Sequence, residues 1–361
     1  MNLTSIQLNH FRNYKELSLE LDKGINIFYG DNAQGKTNIL EAIYVCGTGK
    51  SHRGSKDKEL IAFDSTEAHI KAYIEKKYAT DRVDIHLKTN KSKGIAVNGI
   101  PIRRTSELFG LMNVVVFSPE DLQLIKNGPS ERRKFIDLEL CQLDKLYVHH
   151  LIHYNKVLAQ RNQLLKDLTK KNDYEDILDI YDLQLIQYGC KIVQLRKNFL
   201  EQLNEIVQRK HSIISGGKER LQVIYEPNVE EDLFATQLQK SRERDKKQKI
   251  TLVGPHRDDI MLTINSIDIR KYGSQGQQRT AALSLKMAEI ELVTNVIKDS
   301  PILLLDDVLS ELDFNRQNQL LNCIDGIQTI ITCTGVDDFI HHRFHMDKIF
   351  HVEQGTVSKQ N

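Results

Sequence analysis

The chain has 361 residues, of which 40% are hydrophobic and 27% are charged, as in an ordinary globular protein. The formal net charge of +1 excludes a global field that attracts a polyanion, so any affinity for nucleic acid requires local basic patches. The five dispersed cysteines exclude a disulfide framework and indicate reduced thiols. No apolar run is long enough to span a bilayer, and the N-terminus lacks the pattern of a secretory signal. We therefore expect a soluble, cytoplasmic protein.

The first third of the chain has the composition of β-strands separated by tight turns. Asn98-Gly99 stands between apolar residues and is the strongest short signal for a β-hairpin. Composition and turn residues together predict strands at 3–8, 17–21, 25–29, 70–74, 83–87, 95–97 and 114–117. This region is therefore predicted to be rich in sheet.

The hydrophobic period changes at residue 118. Apolar side chains then recur every three or four residues over 136–158 and again over 178–206, and each series forms one stripe of an amphipathic helix. A polar break at 169–173 separates the two series. This pattern predicts two long helices that pack as an antiparallel hairpin.

The last third alternates between helix and strand. Helices are predicted at 280–296 and 315–324, and strands at 302–305 and 329–332. This order is typical of an α/β domain built around a buried parallel sheet.

A phosphate-binding motif lies directly after the predicted strand 25–29. Its residues are Gly30, Asp31, Asn32, Ala33, Gln34, Gly35, Lys36 and Thr37, which match G-x-x-x-x-G-K-[ST]. Glycines let backbone N–H groups converge on phosphate oxygens, and the following helix, which begins near Asn38, offers its positive end. We predict that this loop and Asn38 bind ATP, that Lys36 contacts the β- and γ-phosphates, and that Thr37 is a ligand of Mg²⁺.

A carboxylate for the metal is expected at the end of a buried strand. Asp306 follows the apolar strand 302–305, at the sheet edge where ligands bind in open α/β folds. We predict that Asp306 helps to hold Mg²⁺, directly or through water. Asp307 is then placed to orient or deprotonate the water that attacks ATP.

Lys36 and Asp306 lie near opposite ends of the chain, so the helical region between them is predicted to be an insertion into one ATPase core. We assign residues 1–117 and 250–361 to a discontinuous ATPase head, lobe I. Residues 118–249 form lobe II, which is mostly helical and carries an antiparallel arm.

A third motif precedes the acidic strand. The segment Ser274-Gln275-Gly276-Gln277-Gln278-Arg279 stands at the start of the predicted helix 280–296. It resembles the signature sequence of the ABC superfamily, whose serine and glycine bind the γ-phosphate held by a second subunit. A helix N-terminus is suited to an anion. Ser274 and Gly276 are therefore predicted to complete the ATP site of another copy, and Ser310–Asp313 fits the D-loop that follows.

The chain also resembles the RecF family over residues 3 to about 350. The segments that carry this resemblance occur in the same order and are 9–14, 30–38, 117–122, 154–162, 254–259 and 305–313. The resemblance implies an α/β fold, an ABC/SMC-type P-loop ATPase head with a mixed sheet and an inserted helical lobe. It also implies an ATP-dependent, DNA-binding homodimer of recombination repair and replication-gap repair.

The partners implied by the resemblance are DNA without sequence specificity, RecR and RecO, which together help to load RecA at single-strand gaps and junctions. An alternative is an ABC-type ATPase subunit of another DNA or chromosome maintenance complex. Asp307 stands where transporters of the superfamily usually carry the longer glutamate, and 330–334 offers threonines where a histidine is usual. We therefore expect weak, DNA-stimulated ATP hydrolysis that acts as a switch.

Two assignments stay open at this stage. Arg12 either contacts the nucleotide, as the resemblance to SMC-type heads implies, or forms a salt bridge at a strand edge. The clusters 126–134 and 241–249 each carry a net charge of +3 and either contact DNA phosphates or form solvated surface.

Overall fold

The computed structural model describes residues 1–167, 174–335 and 347–360. The chain divides into two compact units, one formed by Met1–Asp121 with Glu289–Asn361 and the other by Leu122–Ala288. Within the described ranges, no helix is both long and apolar enough to cross a membrane. The polar break predicted at 169–173 lies outside the described residues.

The strands of the described chain follow one another as β1 (Asn2–Phe11), β2 (Tyr14–Glu20), β3 (Ile25–Tyr29), β4 (Glu67–Glu75), β5 (Thr80–Lys88), β6 (Gly94–Val97), β7 (Ile100–Pro101), β8 (Val114–Phe117), β9 (Leu221–Glu226), β10 (Asp259–Ile264), β11 (Ile267–Asp268), β12 (Ile302–Asp306), β13 (Thr329–Cys333), β14 (Lys348–Glu353) and β15 (Thr356–Gln360). The helices are α1 (Lys36–Thr48), α2 (Leu122–Lys126), α3 (Pro129–Leu143), α4 (Lys145–Lys166), α5 (Tyr174–Ser215), α6 (Phe234–Gln248), α7 (Ile269–Tyr272), α8 (Gln275–Ile297) and α9 (Phe314–Cys323).

One sheet of the first unit is antiparallel and has the strand order β2-β1-β4-β5-β6-β7. Its side chains alternate between a buried face, with Ile70 and Ile85, and an exposed face, because successive residues of a strand point to opposite sides. The hairpin predicted at Asn98-Gly99 is confirmed. It joins β6 to β7, and both residues take the positive φ values, 52° and 81°, that such a turn requires.

The other sheet of the first unit is mixed and has the order β15-β14-β3-β13-β12-β8. The five strands from β14 to β8 are parallel, and β15 pairs with β14 in the antiparallel direction. Ile302 to Leu305 in β12 are fully buried, as in a central strand of a parallel sheet. The carboxyl ends of β3, β13 and β12 therefore lie side by side, which places the phosphate motif next to Asp306.

The second unit contains the predicted helical hairpin, formed by α4 and α5. The first predicted helix is not continuous, because α3 ends at Leu143 and α4 begins at Lys145. Asp144 between them is extended, with φ −138° and ψ 112°, and its side chain accepts a hydrogen bond from the N–H of Leu146. One capping aspartate thus ends one helix and starts the next without disturbing the apolar spacing.

The inserted unit is longer than the predicted lobe II. It includes residues 250–288, which the sequence had placed in the head. The reason is that β10 pairs along its whole length with β9 and also with β11, so the three strands form a separate antiparallel sheet beside the helices. The strands that follow residue 249 therefore join the sheet of the second unit, and β12 is the first strand after them that joins a sheet of the first unit.

Buried arginines connect the parts of the second unit. Arg161 on α4 is fully buried, and it donates hydrogen bonds to Asp182 Oδ1 at 2.6 Å, Asp245 Oδ2 at 2.8 Å and Thr251 Oγ1 at 2.9 Å. Asp245 is also fully buried, and burial raises the pKa of its carboxyl although Arg161 opposes this shift. The two ion pairs and the hydrogen bond of Arg161 tie α4 to α5, to α6 and to the segment that follows α6.

The segment 254–259 anchors the same unit. Asp258 accepts hydrogen bonds from Arg196 Nη1 at 2.7 Å and from the Tyr225 hydroxyl at 2.5 Å. His256 Nε2 lies 3.0 Å from the carbonyl of Thr251, and Nδ1 lies 2.7 Å from the Tyr154 hydroxyl. Burial lowers the pKa of His256 to about 4, so the neutral ring donates through Nε2 and accepts through Nδ1. These residues of the RecF-like pattern therefore have a structural role.

We predict that Arg161→Met destabilises the protein by about 3–5 kcal/mol, because it leaves the Asp245 carboxylate buried without its cation. Urea unfolding at pH 7 measures this loss. The matched control is Lys134→Met, since Lys134 pairs with Glu131 on the surface and contributes less than about 1 kcal/mol. Equal unfolding midpoints for the two variants would contradict the role assigned to Arg161.

Candidate nucleotide-binding site

The loop between β3 and α1 has the backbone shape of an anion-binding turn. Gly30, Ala33 and Gly35 have φ values of 149°, 65° and 118°. A Cβ atom on Gly30 would lie 2.3 Å from the carbonyl oxygen of Val352, and one on Gly35 would lie 2.5 Å from Asn13 Nδ2. Both positions therefore require glycine, the residue that lets a phosphate-binding loop bring successive backbone N–H groups together.

Lys36 is folded back over this loop. Its Nζ donates hydrogen bonds to the carbonyl oxygens of Gly30 at 2.6 Å and Asp31 at 2.7 Å. Burial lowers the pKa of Lys36, and the nearby charges of Asp307, Cys333, Asp306 and Asp31 act in the opposite direction. The ammonium group is thus held among the atoms of the loop that would surround a phosphate.

Thr37 and Asp306 meet as the sequence predicts. Thr37 Oγ1 donates a hydrogen bond to Asp306 Oδ1 at 2.8 Å, and Thr332 Oγ1 donates to the same oxygen at 2.8 Å. A hydroxyl and a carboxylate are hard oxygen donors of the kind that Mg²⁺ prefers. The pair therefore fits a Mg²⁺ ion by the chemistry of its donors.

Asp307 adopts a left-handed conformation, with φ 52°. Its N–H lies 3.1 Å from Thr332 Oγ1 and 3.2 Å from the Thr332 carbonyl oxygen. Thr332 thus contacts both aspartates, at the position where the sequence suggested that a histidine is usual. The role of Asp307 in orienting water stays a prediction.

Several residues that fix the loop were missed from the sequence. The Tyr14 hydroxyl donates to the Gly35 carbonyl at 3.0 Å, and Asn13 Nδ2 donates to the Gln34 carbonyl at 2.9 Å. From the C-terminal hairpin, the N–H of Gly355 donates to that same carbonyl at 3.1 Å. Asn13 and Tyr14 belong to the RecF-like segment 9–14, which was a signal for them, whereas no pattern pointed to Gly355.

Arg12 forms an ion pair with the first helix. Its Nε and Nη2 donate to the two carboxylate oxygens of Glu41, each at 2.8 Å, and Nη2 also donates to Ser55 Oγ at 2.6 Å. Burial tends to raise the pKa of Glu41, but hydrogen bonds from Arg12 and Ser51 outweigh it, so the pKa is lowered. The salt bridge that the sequence left open is present, with a helical partner. A contact of Arg12 with nucleotide stays a prediction.

A half-buried histidine near the aspartate pair was also missed. Neither ring nitrogen of His52 has a hydrogen-bond partner among the described residues. Burial lowers the pKa of His52, while the charges of Asp306, Glu41 and Glu120 oppose this effect. The imidazole therefore stays neutral beside the site at pH 7. It follows α1 by a few residues, where the sequence offered no motif.

Ser274 and Gly276 lie in the second unit, at the N-terminus of α8. Ser274 Oγ accepts a hydrogen bond from the N–H of Gln277 at 3.2 Å, and Gln277 Oε1 accepts from the N–H of Ser274 at 3.0 Å. This reciprocal capping box fixes the start of the helix. Gly276 and Ser274 are exposed, so the first turn of α8 faces solvent.

The cations of the two basic clusters, 126–134 and 241–249, differ in their exposure and in their ion pairs. Arg132 is 1% exposed and binds both carboxylate oxygens of Asp259, so it is not available to DNA. Arg242 pairs with Asp182, and Lys246 pairs with Glu175. The exposed cations of the clusters are Lys126, Lys134, Arg244, Lys247 and Lys249. A DNA contact in either cluster stays a prediction and would depend on these side chains.

Comparison with known proteins gives the family. The profile of the RecF/RecN/SMC N terminal domain matches residues 2–358. A curated relative from Lachnoclostridium phytofermentans, "DNA replication and repair protein RecF", is 59% identical over 359 residues, which are 99% of this chain and 100% of that protein. The chain belongs to the RecF family. A further RecF relative, from Clostridium kluyveri, is 49% identical over 99% of this chain and 100% of its own length.

Solved structures agree with this family. A structure described as the recombination mediator protein RecF-ATP in the RecFOR pathway superposes with a TM-score of 0.93 at 39% identity and covers 99% of this chain and 97% of its own. An SMC head bound to a domain of ScpA superposes with a TM-score of 0.58 at 17% identity, over 100% of this chain and 97% of its own, which shows the fold alone. The predicted fold class, an ABC/SMC-type ATPase head with mixed α/β structure, is confirmed.

The ion pair between Arg12 and Glu41 predicts that the stability of the protein depends on pH. Because the pKa of Glu41 is lowered below its unfolded value of about 4.3, its contribution is fully present above that pH and is lost as the pH falls through the folded pKa. We expect Arg12→Gln to destabilise the protein by about 3 kcal/mol at pH 7, because a buried carboxylate loses its cation, and by much less at pH 3.

Urea unfolding of wild type and of Arg12→Gln, from pH 7 to pH 3, measures this loss of stability. The control is Lys15→Gln, since Lys15 is exposed and lies 3.9 Å from Asp64, so its effect should stay below about 1 kcal/mol at both pH values. A difference between wild type and Arg12→Gln that stays constant from pH 7 to pH 3 would refute this assignment.

Proposed function

We propose that this chain is an ATP-dependent DNA-binding protein of recombination repair and replication-gap repair. The observation that carries the proposal is the contact of Thr37 with Asp306 beside a phosphate loop that holds Lys36. Relatives that match the chain over its full length are named DNA replication and repair protein RecF. Two solved structures of similar fold are described as RecF with ATP or with ATPrS.

In this proposal the triphosphate lies on the loop 30–37. The backbone N–H groups of the loop and the first turn of α1 bind phosphate oxygens, and Asn38 lies in that turn. Lys36 exchanges its two carbonyl partners for oxygens of the β- and γ-phosphates. This exchange is favourable because an ammonium–phosphate contact is charge-assisted, whereas a carbonyl is neutral.

Thr37 and Asp306 would hold Mg²⁺, which supplies positive charge to the phosphates during hydrolysis. Thr332 fixes the carboxylate of Asp306 through its hydroxyl. Asp307 orients the attacking water from a backbone that Thr332 also holds. The short Asp307 side chain and a threonine in place of a histidine both support weak hydrolysis, stimulated by DNA and used as a switch.

The second half of the ATP site comes from another copy of the chain. Ser274 and Gly276 stand at an exposed helix N-terminus, whose N–H groups and dipole suit a γ-phosphate. ATP then joins two protomers, and hydrolysis releases them. The resulting dimer binds DNA without reading its sequence and acts with RecR and RecO to help load RecA at gaps. The RecFOR pathway named for similar structures supports these partners.

Lys36→Ala should weaken ATP binding by about 10- to 100-fold, the effect of losing charge-assisted hydrogen bonds. Titration with a fluorescent ATP analogue measures this affinity. Lys77→Ala is the control, since Lys77 is an exposed cation of the same unit and should bind ATP like wild type. ATP affinity that is unchanged in Lys36→Ala would exclude the loop as the nucleotide site.

Ser274→Arg should leave ATP binding intact and abolish ATP-dependent dimerisation, because a bulky cation would stand where the partner's phosphate docks. Light scattering with and without ATP reports the mass of each protein. Ser212→Arg, an exposed change on α5 of the same unit, should still dimerise. A dimer of Ser274→Arg at the ATP concentration that saturates wild type would count against the shared site.

A further inference from the structure

The exposed face of the antiparallel sheet carries a group of metal-ligating side chains that the ATPase does not use. His69 on β4 and His86 on β5 stand directly opposite each other. Glu67 lies two residues before His69 and therefore on the same face of β4. One nitrogen of each imidazole and one oxygen of the carboxylate lie within 4.8 Å of one another.

The two imidazoles are stacked on each other, and both lie beside the Glu67 carboxylate. Their ring centroids are 3.9 Å apart, with 23° between the ring planes. His86 Nε2 lies 2.9 Å from Glu67 Oε2, so the carboxylate already contacts the nitrogen that would carry a metal. Ligand atoms around a tetrahedral Zn²⁺ are about 3.4 Å apart, given bonds of about 2.0–2.1 Å. The ligand atoms now lie within 4.8 Å of one another, so side-chain rotations that bring them closer by up to about 1.4 Å reach that spacing.

From this geometry we propose that Glu67, His69 and His86 form a binding site for a divalent first-row transition metal of the Zn²⁺ type. Two imidazoles and one carboxylate are a donor set that suits such ions and does not suit Mg²⁺, which favours oxygen. This site lies on the antiparallel sheet, whereas Asp306 ends a strand of the mixed sheet. It also selects a transition metal, whereas the oxygens of Thr37 and Asp306 suit Mg²⁺.

The surroundings leave space for the ion and for a further ligand. The three residues line a cavity of about 860 Å³ on the open face of the sheet. Gly94 is the residue of β6 that pairs with His86, and its missing side chain keeps that side of the imidazole open. Asn9 of β1 pairs with His69 and lines the same cavity. A water molecule or the Asn9 amide oxygen can therefore complete the coordination.

Nearby positive charge does not block the site. Lys88 Nζ lies 3.9 Å from Glu67 Oε2, and both side chains are partly exposed, so the contact is weak and the flexible lysine can turn to solvent. A bound metal would bridge β4 and β5 and thereby stabilise the sheet on which the first unit is built. Binding to the folded state alone also raises the unfolding temperature.

The test is calorimetric titration of the metal-free full chain with Zn²⁺, in the absence of nucleotide. Wild type should bind one equivalent tightly, and His86→Ala or His69→Ala should weaken binding by at least about tenfold. Zn²⁺ should also raise the unfolding temperature of wild type and not that of His86→Ala. Equal Zn²⁺ affinity in wild type and both variants, or no binding to wild type, would overturn the proposal.

A control variant removes another pair of neighbouring histidines from the part of the chain that the structure describes. His149 and His153 on α4 have ring centroids 4.1 Å apart. The double variant His149→Ala/His153→Ala should bind Zn²⁺ like wild type, and loss of binding in it would move the site to α4. If the sheet variants fail to fold, crystals of wild type soaked in Zn²⁺ decide the question. An anomalous peak among Glu67, His69 and His86 is expected, and a peak elsewhere would refute the site.

Discussion

The hydrogen bond between Thr37 and Asp306 is the contact on which the candidate site depends. It joins the last residue of the phosphate motif to the end of β12, and the parallel pairing of β3, β13 and β12 holds it in register. Both neighbours of β3, which are β13 and β14, come from the other end of the chain. The loop therefore takes its shape only when the two ends of the chain have folded together. The candidate nucleotide site is therefore a property of the whole first unit.

The second unit depends on a different interaction, the burial of arginine among carboxylates. Arg132, Arg161 and Arg196 are almost fully buried, and each binds at least one aspartate. Such pairs add little net stability, but the loss of one partner leaves a charge without compensation. These cations therefore serve the fold, and one of them, Arg132, belongs to the basic cluster 126–134 that the sequence offers as a surface for DNA. A polyanion such as DNA would therefore have to bind to the exposed lysines and arginines of the clusters.

The sequence predicts those parts of the site whose residues lie close together along the chain. The phosphate motif, the strand that ends at Asp306 and the capped start of α8 each lie within a few residues, so local pattern is enough to find them. The contacts that Thr332 and Gly355 make in the site could not be predicted, because their hydrogen-bond partners are distant in the chain; the sequence marks only 330–334 as the place of a usual histidine. The break at Asp144 was hidden for another reason, since one extended residue leaves the apolar period intact. The end of the inserted unit was misplaced because strand composition does not reveal which sheet a strand joins.

The central claim is that one ATP is shared between two copies of the chain. A crystal structure with a non-hydrolysable ATP analogue and Mg²⁺ tests it most directly. The account predicts a γ-phosphate that contacts Lys36 of one protomer and Ser274 of the partner subunit. A nucleotide enclosed within a single protomer, with both copies of Ser274 distant from any phosphate, would contradict it.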